Sequence, residues 1–244
     1  MHWFNYCLES SCLNGVLLHQ IDGHRLYACC SLFAAFGCCR RDNIYDDDYT
    51  LLDRELMKFY VKLDVLTAAP SVLILKSGLR ICSNGAARTN IPIIQDYAYY
   101  EVKLQNYRGS WGIGLCTVNT PLDSVQSLTD DSTCWILRND MKIWSRGHVI
   151  GQLKQSVEEG DIIGVIYDKG ELRFTINGDI AHVYSEQTEQ SPLCIDSGGE
   201  VLYPVLGVGD DTVLDVAFTA NSFNYPPLSV EGFGEIKFQK EVTF

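Results

Sequence analysis

The residues of this 244-residue chain that could do chemistry are few. Adjacent thiols stand at Cys29-Cys30 and Cys38-Cys39, inside the run LYACCSLFAAFGCC and just ahead of Arg40 and Arg41. His182, Cys194 and Asp196 supply the residue types of a cysteine hydrolase, which needs a thiol, a base and a group to orient the base. No nucleophile motif surrounds Cys194, so their nearness in sequence reads as chance. Glu159-Gly160-Asp161 begins the E-x-D-x-x-E spacing by which sandwich-type glycosidases bring two carboxylates to about 5 Å, but the last position is Gly164. His148 and His182 lack the paired spacing of a metal site. No residue is therefore assigned to catalysis, to a metal or to a cofactor. Asp210 and Asp211 remain, two adjacent carboxylates that accept hydrogen bonds from Arg, Lys, Asn or backbone amides of a ligand.

Several readings compete for the paired cysteines. Zinc would take thiolates together with His19 or His24, but Cys-Cys neighbours lack the C-x₂₋₄-C spacing. A secretory signal needs a basic start, an apolar middle and a small-residue cleavage site; the interior position and the arginines that follow argue against one. Reversible S-acylation of Cys29, Cys30, Cys38 and Cys39 fits better, because acyl chains insert while Arg40 and Arg41 meet anionic headgroups. A tail with no chemistry is the remaining reading. No apolar run approaches the roughly 20 residues of a membrane-spanning helix.

The elements that would position these residues fall into three regions. Residues 1–25 show no clear period and receive no fold. Residues 26–58 join the cysteine-rich run to an acidic stretch, DNIYDDDYTLLDRE, that reads as a solvated linker. Residues 59–244 alternate short β-rich runs with turn residues and have no long helices between them, which points to an antiparallel two-sheet β-sandwich. In YAYYEVKL, Tyr97, Tyr99, Glu101 and Lys103 share one face, and Ala98, Tyr100, Val102 and Leu104 the other. Ile162 to Tyr167 are almost wholly apolar, as in a central strand covered on both faces. Asp168-Lys169-Gly170 and Asn177-Gly178 supply tight turns, the second of type I′. Further strands are expected at YVKLDV, IAHVY and EIKF, and NGAARTN (Asn84 to Asn90) is expected as a loop. Trp111, Trp135 and Trp144 are expected in the core.

EGDIIGVIYDKGELRFTINGD, with YYEVKL, WGIGL, LYPVLGV and TVLDVAF in that order, resembles the SPRY family of β-sandwich binding modules over residues 59–244. The resemblance implies a concanavalin-like jelly-roll fold, no enzymatic activity and a shallow site for a short peptide or a partner's loop. It implies contacts from Gly209, Asp210 and Asp211 after the LYP strand, and from Arg88 and Asn90 in the earlier loop. No companion RING or SOCS-box segment is seen, so a ubiquitin-ligase role is not expected. A lectin-like carbohydrate-binding module is the alternative, with Asp210, Asp211 and Asp215 as calcium candidates, although β alternation separates them.

The net charge of −12 disfavours nucleic acid and suits polar or basic protein partners. Six of ten cysteines lie in the first 39 residues, the other four sit singly in apolar runs, and no Asn-x-Ser/Thr acceptor occurs. Together these imply a reducing, cytoplasmic setting. A monomer is expected, associated peripherally with a membrane face if the cysteines are acylated.

Overall fold

A computed structural model describes residues 17–21, 24–28, 60–185, 188–189, 192–227 and 234–237. The chain divides into two compact units, 1–58 and 59–244. In the first, β1 (Leu17–Ile21) and β2 (His24–Ala28) pair antiparallel as a hairpin. Residues 1–25 received no fold from the sequence, and the hairpin lies partly within them. Two five-residue strands closed by two residues carry too few positions for a period to show.

The second unit is the expected two-sheet sandwich, antiparallel throughout. Its strands are β3 (Val72–Leu75), β4 (Arg80–Ser83), β5 (Gly85–Arg88), β6 (Tyr97–Asn106), β7 (Trp111–Cys116), β8 (Cys134–Arg138), β9 (Lys142–Ser145) and β10 (His148–Leu153). They continue as β11 (Ile162–Asp168), β12 (Glu171–Ile176), β13 (Asp179–Ala181), β14 (Val183–Ser185), β15 (Thr188–Glu189), β16 (Leu193–Cys194), β17 (Tyr203–Val208) and β18 (Val213–Ala217). One sheet runs β13-β12-β11-β6-β18-β4-β3, with β16 also on β12. The other runs β15-β14-β10-β9-β8-β7-β17-β5.

The core lies between the sheets and is built from the inward alternates. On β6 these are Ala98, Tyr100, Val102 and Leu104, which meet Ile113 and Leu115 of β7 and Leu206 and Val208 of β17. The buried Tyr100 hydroxyl donates to the Gly114 carbonyl at 2.6 Å and so ties one sheet to the other. β11 lies between β12 and β6, and Ile162 to Ile166 are buried on both faces. Trp111 and Trp135 are buried, whereas Trp144 is half-exposed, its indole N–H donating to Asp140 at 3.4 Å.

The turns follow the residues that permit them. Lys169 and Gly170 both have positive φ between paired Asp168 and Glu171, as do Asn177 and Gly178 between paired Ile176 and Asp179. Both are type I′ turns, whose twist matches that of the flanking strands.

Several elements differ from expectation. YVKLDV makes a single bridge, Leu63 to Thr89, and residues 234–237 form no strand. IAHVY splits at His182, with β13 in one sheet and β14 in the other. β10 and a short helix, α1 (Val125–Asp130), had no strong period to announce them. NGAARTN is mostly the edge strand β5. Ala86 is fully buried there, in one apolar cluster with Leu122 and Leu128.

Registers along β17 define two ends of the sandwich. Val208 pairs with Gly85 and Trp111 at one end, called near; Tyr203 pairs with Cys116 toward the other, called far.

Candidate functional site

Three connections cross from one sheet to the other at the near end: β4 to β5 through Asn84, β6 to β7 through residues 107–110, and β17 to β18 through residues 209–212. They are fastened mainly by backbone. The Gly209 N–H donates to the Ser110 carbonyl at 2.8 Å, and the Asp210 N–H donates to Asn84 Oδ1 at 2.9 Å. A Cβ on Gly109 would stand 2.1 Å from the Gly209 carbonyl oxygen, so the two connections touch only because Gly109 has no side chain. Asp210 has φ of 54°, a left-handed conformation that Asp tolerates better than most residues. The outcome is a rigid tip carrying the exposed side chains of Asp210, Asp211 and Arg108, with half-exposed Ser110 beside them.

The five partner-contact candidates do not share this tip. Gly209 is buried within it, and Asp210 and Asp211 form it. Arg88 is the last residue of β5, opposite Val205, three residues and roughly 10 Å along the strand from Gly85. Its guanidinium lies 5.4 Å from the Tyr203 ring centroid and donates to the Val118 carbonyl. Asn90 accepts from the Lys62 N–H at 2.9 Å and donates to the Tyr60 carbonyl at 3.1 Å, holding the segment that enters the sandwich. Asn84 and the 107–110 turn are the tip members that sequence reasoning missed. Their role is set by strand crossings, for which no local pattern exists.

A groove of about 370 Å³ lies at the far end between residues 93–96 and 197–202, floored by Tyr167. Another, of about 330 Å³, lies against the outer face of β6 and β18, beside Lys76, Lys103 and Asp215. Asp215 belongs to that face and not to the tip. Arg80 donates to both of its oxygens, at 2.5 and 2.8 Å, and Lys76 adds a contact at 2.9 Å. Burial pushes its carboxyl up, but the hydrogen bonds and charges of Arg80 and Lys76 outweigh this and hold it below the usual range. These cations occupy the oxygens that a calcium ion would need. Among the described residues no group of three or more His, Cys, Asp or Glu gathers to hold a metal.

The glycosidase spacing resolves into a turn lock. Asp161 accepts from the Glu158 N–H at 2.7 Å and from the Asn177 side chain at 2.8 Å. Asn177 in turn accepts from the Ile162 N–H at 3.0 Å, so the two turns around β11 and β12 hold each other. Glu101, which shares the face of β6 turned away from the core, is only 2% exposed. Its carboxylate accepts from the N–H groups of Asn224 and Tyr225, both at 2.7 Å, and from the Tyr99 hydroxyl at 3.0 Å. Residues 223–225 thus form a strap over β6, with Phe223 edge-on to Tyr99 at 4.9 Å. Cys29, Cys30, Cys38 and Cys39 lie outside the described residues. Among the described residues no helix is long and apolar enough to cross a membrane.

Comparison with known proteins agrees with this architecture. A family model of the SPRY domain matches residues 97–221. SPRY domain-containing protein 7 of Gallus gallus is 32% identical over 185 residues, covering 75% of this chain and 86% of that protein. The protein of the same name from Bos taurus is 31% identical over 215 residues, covering 87% and 98% respectively. The crystal structure of the SPRY domain of human HERC1 superposes with a TM-score of 0.50 at 15% identity, covering 64% of this chain and 96% of that one, a likeness of fold.

Proposed function

The chain belongs to the SPRY domain family, a family of protein-interaction modules, and from that premise we propose that its near-end tip captures a short polar or basic peptide or a partner's loop without catalysing a reaction. One observation carries this reading. The exposed carboxylates of Asp210 and Asp211 stand on a connection held by the Ser110 carbonyl and the Asn84 side chain. A loop already ordered loses little entropy on binding, so charge-assisted hydrogen bonds from a ligand's Arg or Lys translate more fully into affinity.

Selection from a library of displayed short peptides tests it. Peptides rich in Arg or Lys should bind, and an Asp210→Asn/Asp211→Lys variant should lose at least about tenfold in affinity. Asn is chosen at 210 because it tolerates the left-handed backbone there. Because both changes are exposed, unfolding free energy should move by no more than about 0.5 kcal/mol. Selected peptides that bind the variant equally well would remove the tip from the site.

The same reading places the protein in the cytoplasm as a monomer. Acyl chains on Cys29, Cys30, Cys38 and Cys39 would supply its membrane association. Serine at all four positions should then move the chain from membrane to soluble fractions and abolish hydroxylamine-sensitive lipid. A wild-type chain free of thioester-linked lipid would end the tethering proposal while leaving peptide capture standing.

A further inference from the structure

We propose that Cys116 and Cys134 form a reversible modification site, a dithiol that a hydroperoxide converts to a cross-strand disulfide at the neck of the 117–133 connection. Cys116 is the last residue of β7, Cys134 the first of β8, and the two are direct register partners. The next pair outward is joined by the backbone, the Thr117 N–H donating to the Thr133 carbonyl at 3.0 Å. Bonded and non-bonded pairs alternate along an antiparallel ladder. Cys116 and Cys134 are therefore a non-hydrogen-bonded pair, the kind whose Cα atoms stand about 4.5 Å apart with side chains on one face. That spacing lies within the range of about 4.4 to 6.8 Å that a disulfide spans. Both thiols are free and fully buried, and they share one apolar cluster with Leu122, Leu128 and Ile136.

The surroundings assign an order of attack. Arg88 stacks on Tyr203, the register partner of Cys116, and reaches Val118, two residues beyond it. Burial pushes the Cys116 thiol up to about 12, and the Arg88 charge opposes that push. Burial also pushes the Cys134 thiol up, as do its neighbours Cys116 and Asp131, with the Trp135 backbone amide opposing. While the connection is closed, both sulfurs stay protonated and slow to react. Thr120, Asp131 and Thr133 fasten the neck, with the Thr133 N–H donating to Asp131 at 2.7 Å and the Thr120 and Thr133 hydroxyls 3.0 Å apart.

When the neck opens, the Cys116 thiolate attacks one oxygen of hydrogen peroxide and the O–O bond breaks. Hydroxide leaves and takes a proton to become water, and Cys116 is now a sulfenic acid. Cys134 gives up its proton and attacks that sulfur, the S–O bond breaks, and a second water leaves. The two sulfurs have together given two electrons to one peroxide. A dithiol reductant reverses the change by thiol exchange.

Between Gly109 and Arg138 there is no Lys or Arg before Arg138 and no cysteine besides these two. Trypsin therefore releases both thiols on one peptide. The folded full-length chain is exposed to hydrogen peroxide, alkylated, and digested without reductant. The expected peptide is unlabelled and lighter by two hydrogen atoms, and it takes two labels after dithiothreitol. In Cys134→Ala, dimedone should trap a sulfenic acid on Cys116. Two labelled thiols, or two separate sulfinic acids, at a peroxide exposure that has fully oxidised the exposed Cys194 would overturn the proposal. The wild-type map decides the matter even if the alanine variant does not fold.

Discussion

Backbone hydrogen bonds fasten both ends of the sandwich, and the ends differ in what the side chains add. At the near end, backbone lies on backbone: Gly109 against the Gly209 carbonyl, and the Gly209 N–H on Ser110. At the far end the Ile93 N–H donates to the Leu202 carbonyl at 2.7 Å and the Lys169 N–H to the Asp96 carbonyl at 2.8 Å, and long side chains add further contacts. Arg88 spans from β5 to Tyr203 and the Val118 carbonyl, and Lys169 lies 5.0 Å from the Tyr97 ring centroid. A backbone contact leaves side chains free to face a ligand, whereas a bridging side chain is already engaged. This difference is why Asp210 and Asp211 are stronger binding candidates than Arg88.

The largest test of that contrast is Gly109→Ala. The added methyl would stand 2.1 Å from the Gly209 carbonyl oxygen and 2.8 Å from Thr212 Oγ1, so the near end must deform, at about 3 kcal/mol or more in chemical denaturation. A cost under about 1 kcal/mol would show that the near end is not tightly fitted. Glu101→Ala comes next. It strips the acceptor from the Asn224 and Tyr225 N–H groups and should cost about 2 kcal/mol, with faster hydrogen exchange confined to the strap. Arg88→Ala should cost only about 1 kcal/mol, since one hydrogen bond and one ring contact are lost and no backbone moves. If it cost as much as Gly109→Ala, the distinction between the ends would fail.

Smallest is the acid limb of stability. Because Asp215 has a folded pKa below its unfolded one, its contribution is fully present above the unfolded value, near about 4, and disappears as pH falls through the folded value. The ion pair is partly solvated, so the effect stays under about 1 kcal/mol. Asp215→Asn should flatten stability against pH below about pH 4, and a parallel curve would remove Asp215 from the acid response.

Much of the sandwich was legible because its determinants are local. Ile162 to Tyr167 read as a central strand from composition, and the turns at Lys169-Gly170 and Asn177-Gly178 followed from residues that tolerate positive φ. Asp210 and Asp211 were legible as a connection between two strand patterns. Glu101 was not legible as buried: alternation put it outward, and only the strap, joined from over a hundred residues away, covers it. Ala86 and Ala87 read as loop residues because small side chains look alike in a loop and in a core, Ala86 being buried with Leu128 of the helix and Ala87 between the sheets.

The amino-acid sequence by itself therefore determined most of the strands, the two tight turns around β12 and the family, since period, turn chemistry and motif order act between near neighbours. Only the tertiary structure decided which connections meet. It set Asn84 against Asp210 and Cys116 opposite Cys134, and it drew Arg88 away from the tip. Those pairings depend on sheet order and register, which are fixed when distant strands bury a shared core and leave no mark on the residues between them.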